Sequence, residues 1–103
     1  MLVRVLQQAG FVAQHQDLSK AEFSRTLGLT LQRLRLERGL SQERLAHMAG
    51  ISGYTYQKFE KGESKPGTPM NPRLYTLLSL AQVLGVTLED LVPAEWPDLA
   101  DGS

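Results

Sequence analysis

The side chains best suited to chemistry crowd into one stretch, Leu40 to Gly62, which reads LSQERLAHMAGISGYTYQKFEKG. Within it Gln57 and Lys58 stand side by side. A lysine ammonium can donate to O6 and N7 of guanine, and a glutamine amide can pair with N6 and N7 of adenine. Reading base edges in this way needs a rigid carrier. The stretch holds two short helical patterns, opened by Ser41 and Ser52, with a tight Ala49-Gly50-Ile51 junction between them. Two short helices fixed at a steep angle by a glycine-containing turn make a helix-turn-helix unit, whose second helix is the element that enters a DNA major groove.

Other chemistries find little support. His15 and His47 stand alone, with no cysteine and no metal-ligand spacing around them, so packing or solvent roles are expected rather than ligation. No glycine-rich loop cradles a phosphate, no nucleophile stands in a motif, and no carboxylate pair is placed for acid–base work. The expectation is therefore a protein that is not an enzyme, with no catalytic residue, no metal and no cofactor. The lack of cysteine removes disulfides and thiolate sites and suits a reducing cytoplasm. No apolar run approaches the ~20 residues of a membrane span. The opening MLVRVLQQAGFVAQ lacks the long apolar region of a signal peptide. A cytoplasmic, nucleoid-associated protein without membrane contact is expected.

The chain has 103 residues, room for one small domain, and 42% apolar with 21% charged residues argues against wholesale disorder. Its eleven basic and eleven acidic side chains cancel. Their distribution does not. Residues 1–73 carry every Lys and Arg against six acids, a net +5, whereas residues 74–103 carry five acids and no Lys or Arg. Affinity for phosphates follows the local basic footprint, not the total.

The elements that would position these groups are legible from Leu18 onward. Ser19-Lys20-Ala21-Glu22 is a capping box, with Leu18 and Phe23 placed to close a hydrophobic staple around it. Phe23, Leu27, Leu31 and Leu34 form the stripe of a helix running to about Arg38, ended by Gly39. Ser41 caps a helix over Gln42–Ala49 with Leu45, Ala46 and Ala49 inward, and Ser52 caps another over Gly53–Lys61, stopped by Gly62. Residues 63–70 read as a loop, because two prolines and a glycine exclude regular structure. Asn71-Pro72 then opens a helix as cap and first residue, with Leu74, Leu77, Leu78, Ala81 and Leu84 as its stripe and Gly85 as its stop. Thr87–Leu91 is a single turn, and PAEWPDLADGS is an extended tail with Trp96 docked on the core. Residues 1–16, with Leu2, Val5, Leu6, Ala9 and Val12 at helical spacing, fit a short amphipathic helix, although Leu-Val-Arg-Val-Leu also fits a strand.

In this order, Thr26 to Pro93 resemble the Xre/Cro-C1 family, the lambda-repressor-like helix-turn-helix regulators. The matching text is LQRLRLERGLSQERLAHMAGIS, then FEKGE, then LLSLAQVLGVTLEDLV. The resemblance implies an all-α fold, a lambda-repressor-like five-helix bundle with a helix-turn-helix. It divides the chain into an N-terminal extension at 1–18, the domain at 19–93 and a tail at 94–103. It implies that Arg35 and Glu60 form an ion pair between the first and third helices, a pairing that suits arginine's planar fork. It makes Ala46 the small residue at the contact of the second and third helices, with Tyr56 and Phe59 turned inward.

The family's base-reading set falls on Gly53, Tyr54, Gln57 and Lys58. Its phosphate-contacting glutamine falls on Gln42, with Arg44, Ser52, Thr55, Lys61 and Lys65 as further backbone contacts. Two departures stand out: Gly53 occupies a place where the family often has a long polar side chain, and Tyr54 is larger than the usual occupant. The loop at 63–70 is also longer than the usual family connection. The implied function is a sequence-specific transcription regulator that binds a palindromic operator as a homodimer, acting as a repressor. Subtypes ranging from phage repressor to an antitoxin with a cognate toxin partner remain open. The alternative from a different class is a helix-turn-helix fold used as a protein-interaction module, since fold alone does not dictate function.

Overall fold

The computed structural model describes residues 19–100. The expected N-terminal helix and dimer contact over residues 1–16, His15 and the Leu18 half of the staple all lie outside the described residues. Five helices and one small hairpin follow in order: α1 (Lys20–Glu37), α2 (Gln42–Ala49), α3 (Gly53–Lys61), β1 (Glu63–Lys65), β2 (Thr68–Pro69), α4 (Leu74–Leu84) and α5 (Leu88–Leu91).

Local chemistry sets most boundaries. At the head of α1, the Glu22 amide donates to Ser19 Oγ at 3.0 Å, and the Ser19 amide donates to Glu22 Oε1 at 3.1 Å. Ser41 and Ser52 cap α2 and α3 in the same way, accepting from the amides of Arg44 and Thr55. Thr87 and Asp90 build a second capping box at α5. The α2–α3 turn depends on Gly50, whose φ of 78° is left-handed and open without penalty only to glycine. Beyond it the Ile51 amide returns to the Ala46 carbonyl at 3.0 Å, which closes the turn.

The core is a cluster of Leu27, Leu31 and Leu34 from α1, Leu45 and Ala46 from α2, Tyr56 and Phe59 from α3, Leu80, Ala81 and Leu84 from α4, and Leu91. Polar side chains lock the edges. Ser79 donates to the Ala49 carbonyl, Arg38 Nε to the Leu84 carbonyl, and Ser24 to the Met70 carbonyl.

Four expectations change. Residues 63–69 are not irregular: β1 and β2 pair antiparallel, with Lys65 opposite Thr68. Pro66 and Gly67, which read as breakers, occupy the two central positions of the turn, and Gly67 has φ 81°, the value that the third residue of a type II turn requires. The fourth helix starts at Leu74, not at Pro72, and its cap Arg73 is extended with no side-chain hydrogen bond. Proline disfavours helical backbone at Asn71. Beside it, the Met70 amide is held by the Gly62 carbonyl and the Met70 carbonyl by Ser24, which keeps the chain extended. Leu74 is exposed and Leu78 only half-buried, while Leu80 takes the central core place on α4. Finally, Trp96 is not docked in the core. Its ring is largely exposed and its Nε1 donates to the Pro93 carbonyl at 3.0 Å.

Candidate nucleic-acid interface

One carboxylate organises the site. Glu60, near the end of α3, accepts from Arg35 Nε at 2.6 Å and Tyr56 Oη at 2.5 Å on Oε2, and from Arg35 Nη2 at 3.2 Å and Gln42 Nε2 at 2.9 Å on Oε1. Arg35 spends its remaining reach on the Leu40 carbonyl at 2.8 Å. The side chains of Arg35 and Glu60 are 10% and 5% exposed, so this is a buried, two-pronged ion pair with every acceptor site of the carboxylate occupied. It binds α1, α2 and α3 to one another.

The electrostatics follow from that geometry. Burial pushes the Glu60 carboxyl up, but the hydrogen bonds from Arg35, Tyr56 and Gln42 outweigh it and hold the carboxyl below its ordinary value of 4.5. Burial, together with the bond to Glu60, raises the Tyr56 phenol far above its usual range. A carboxyl with a depressed folded pKa adds stability above its unfolded pKa and loses it as pH falls through the folded value. The urea midpoint is therefore expected to be flat near neutrality and to drop once pH falls below about 4.5, with a much weaker acid slope in Glu60→Gln. Urea titrations across that range, followed by circular dichroism, check both.

The outward face of α3 is set by the same helix. Tyr56 is 0% exposed and Phe59 is buried, so the opposite stripe, Tyr54, Gln57, Lys58 and Lys61 at helical spacing, points away from the core. Tyr54 is 70% exposed. The Lys58 ammonium lies 4.3 Å from the centroid of the Tyr54 ring, a cation–π contact worth about 0.5–1 kcal/mol at an exposed position. The two largest groups on this face are thus held as a pair. The spacing of four between an aromatic and a lysine on one helix is the sequence signal for that contact.

Gly53 opens α3 beside Glu43 of α2, whose Cγ lies 3.4 Å from where a Cβ on residue 53 would stand. A shallow open concavity of about 490 Å³ follows, walled by Glu43, His47, Ile51, Gly53, Tyr54 and Gln57. Glu43 and His47 of α2, both exposed, were not singled out as contacts and stand at this surface beside Gly53.

The expected phosphate contacts separate into groups. Gln42 begins α2 and is half-buried, with one amide hydrogen committed to Glu60. The Ser52 hydroxyl donates to Thr55 Oγ1 at 2.9 Å while accepting the Thr55 amide, so its donor is already used. The Thr55 hydroxyl keeps its own proton. Arg44 and Lys61 are exposed on α2 and α3. Lys65 stands apart on the hairpin, next to its turn. Among the described residues, no group of three His, Cys, Asp or Glu side chains is placed to hold a metal ion, and no helix is long and apolar enough to cross a membrane.

A model of the helix-turn-helix family matches residues 31–91. The chain is 35% identical over 71 residues to y4dJ, an uncharacterized HTH-type transcriptional regulator of Sinorhizobium fredii, covering 69% of this chain and 84% of that protein. It is 39% identical over 59 residues to RstR, a cryptic phage CTXphi transcriptional repressor of Vibrio cholerae, covering 57% of this chain and 48% of that protein. It is also similar to the solved structure of SinR, the master regulator for biofilm formation, in complex with DNA. The TM-score is 0.55 at 26% identity, covering 63% of this chain and 95% of that one.

Proposed function

Since the chain belongs to the helix-turn-helix family of Xre/Cro-C1 type, we propose that it is a DNA-binding transcription regulator, a repressor that acts as a homodimer on a palindromic operator. The observation that carries this reading is the outward stripe of Tyr54, Gln57 and Lys58 on a helix whose other face is locked into the core by Tyr56, Phe59 and Glu60. In this reading α3 enters the major groove, with half-sites one helical turn, about 10 base pairs, apart. Relatives named as an HTH-type regulator and a phage repressor, and a neighbour solved with DNA, support it.

Each side chain then has a distinct task. Gln57 and Lys58 present donors to purine edges, Tyr54 offers a thymine methyl its ring, and Gly53 allows the duplex to approach closely. Gln42 supports a phosphate. Its amide is held by Glu60, and its second N–H, together with the free amides at the start of α2, addresses the backbone. Arg44, Thr55, Lys61 and Lys65 add charge or donors at the flanks, and Ser52 serves by fixing the helix end.

Selection of bound duplexes from a random pool tests the reading, and an enriched inverted repeat is the expected product. Lys58→Ala should then relax the preference at one base pair, by about 1–3 kcal/mol of discrimination. Gln42→Ala should weaken all duplexes nearly equally and leave the salt slope unchanged, because a neutral amide releases no counterion, whereas Lys61→Ala should flatten the slope by about 0.9 if that lysine meets a phosphate. Binding that ignores sequence and salt would sink the proposal.

A further inference from the structure

Glu43 is the one exposed acid on the two helices of the helix-turn-helix. The other acid there, Glu60, is enclosed by Arg35, Tyr56 and Gln42. Among the described residues the ion pairs are Arg33–Glu37 and Arg35–Glu60, so no Lys, Arg or His side chain pairs with the Glu43 carboxylate. Yet Glu43 walls the same concavity as Gly53, Tyr54 and Gln57. An unpaired carboxylate on that face weakens attraction to a polyanion unless the duplex offers it a donor. Phosphates offer only acceptors. Two of the four bases, cytosine and adenine, expose an amine in the major groove.

We propose, on the reading of α3 as the element in the major groove, that Glu43 determines specificity by accepting from the N4 amine of a cytosine in each half-site. Gly53 gives it the room. The Glu43 Cγ lies 3.4 Å from where a Cβ on residue 53 would stand, so the side chain runs beside the start of α3. A longer side chain at 53 would contest that space. The reader missing at the head of α3 is thus replaced by an acidic one from α2.

Ile51, which packs on the core, supplies an apolar wall of the same concavity. One acceptor beside an apolar wall separates the four bases. Cytosine presents its amine next to a C5–H edge and shows no acceptor in the major groove. Adenine sets the N7 acceptor beside its amine, guanine shows two acceptors, and thymine shows O4 beside its methyl. A carboxylate repels each of those acceptors, so cytosine alone matches both groups. Glu43 also lies in the first turn of α2, where an acid favours the helix dipole. That role is indifferent to base sequence, so base preference tells the two apart.

Selection of bound duplexes from a random pool is run on the full chain, on Glu43→Gln and on Gly53→Gln. The parent's half-site is expected to carry one cytosine that Glu43→Gln replaces with adenine, because an amide pairs with N6 and N7. On duplexes differing only at that base pair, the preference for cytosine should fall about tenfold, with the other positions retained. Gly53→Gln should lose the same cytosine, since its side chain enters the space of Glu43. Gly53 is not among the glycines with positive φ, so both variants are expected to keep the parent's circular dichroism. An unchanged motif in Glu43→Gln, with affinity raised alike for every duplex, would overturn the proposal and leave Glu43 a repulsive charge at the rim. That outcome spares the reading of α3. A parent chain that enriches no motif would overturn both.

Discussion

Glu60→Gln is expected to destabilise the fold by about 3–5 kcal/mol, the cost of leaving one member of a buried ion pair unpaired. The substitution preserves size and shape, so the loss comes from charge. Arg35 is 10% exposed and donates two bonds to the carboxylate; an amide can accept only through its single oxygen and turns donors toward Arg35, Tyr56 or Gln42. Small domains have about 5–15 kcal/mol in total, so a large share of the stability goes with it. Replacing Arg35 as well, as Arg35→Met with Glu60→Gln, should recover part of the loss, because the stranded charge is then gone. Urea titrations of the single and double variants measure the coupling. A loss below about 1 kcal/mol for Glu60→Gln would mean that the pair behaves as an exposed one.

Gly28→Ala is expected to destabilise the domain by about 2 kcal/mol, although alanine is the better helix former. In the middle of α1 the exchange gains about 1 kcal/mol of intrinsic propensity. Against that, the new methyl would stand 2.5 Å from the carbonyl oxygens of both Phe59 and Glu60. Overpacking costs about 1–3 kcal/mol and more where the neighbour cannot move. Both obstacles are backbone at the end of α3, held by the cap at Gly62, which itself packs on the backbone of Arg25. The clash therefore outweighs the propensity gain. The thermal midpoint should fall by about 8–16 °C for a domain of this size, at about 4–8 °C per kcal/mol. Because the obstructed atoms belong to the proposed recognition helix, operator affinity should fall with it. A raised midpoint would show that α1 and α3 can separate freely.

These two positions also mark how far the sequence could be read. Glu60 was within reach, because the spacing and residue types around Arg35 and Phe-Glu-x-Gly carry the family resemblance. Its bonds to Gln42 and Tyr56 were not, since a tyrosine in an apolar stripe gives no sign of where its hydroxyl points. Gly28 gave no signal of its own. A glycine inside a helix reads as a small penalty, and its reason lies some thirty residues away on another helix. Serine caps were legible because each is settled within four residues. The start of α4 was not, since tertiary bonds to Met70 hold the chain extended past the proline that local chemistry favours as a first helical residue. On the proposed DNA face the sequence supplied the stripe, while the Tyr54–Lys58 pair and the Glu43–Gly53 contact came from the geometry.

The hairpin between α3 and α4 has an evolutionary consequence. Its turn, Lys65-Pro66-Gly67, is exposed, while its base is pinned by the Gly62 and Met70 backbone bond. Closing a longer loop across a fixed base costs only about 0.6 kcal/mol per doubling of length. Descendants of this chain could therefore lengthen, shorten or recharge that turn with little effect on the helices behind it. The hairpin is a place where a lineage can try new sequence while its recognition helix stays fixed.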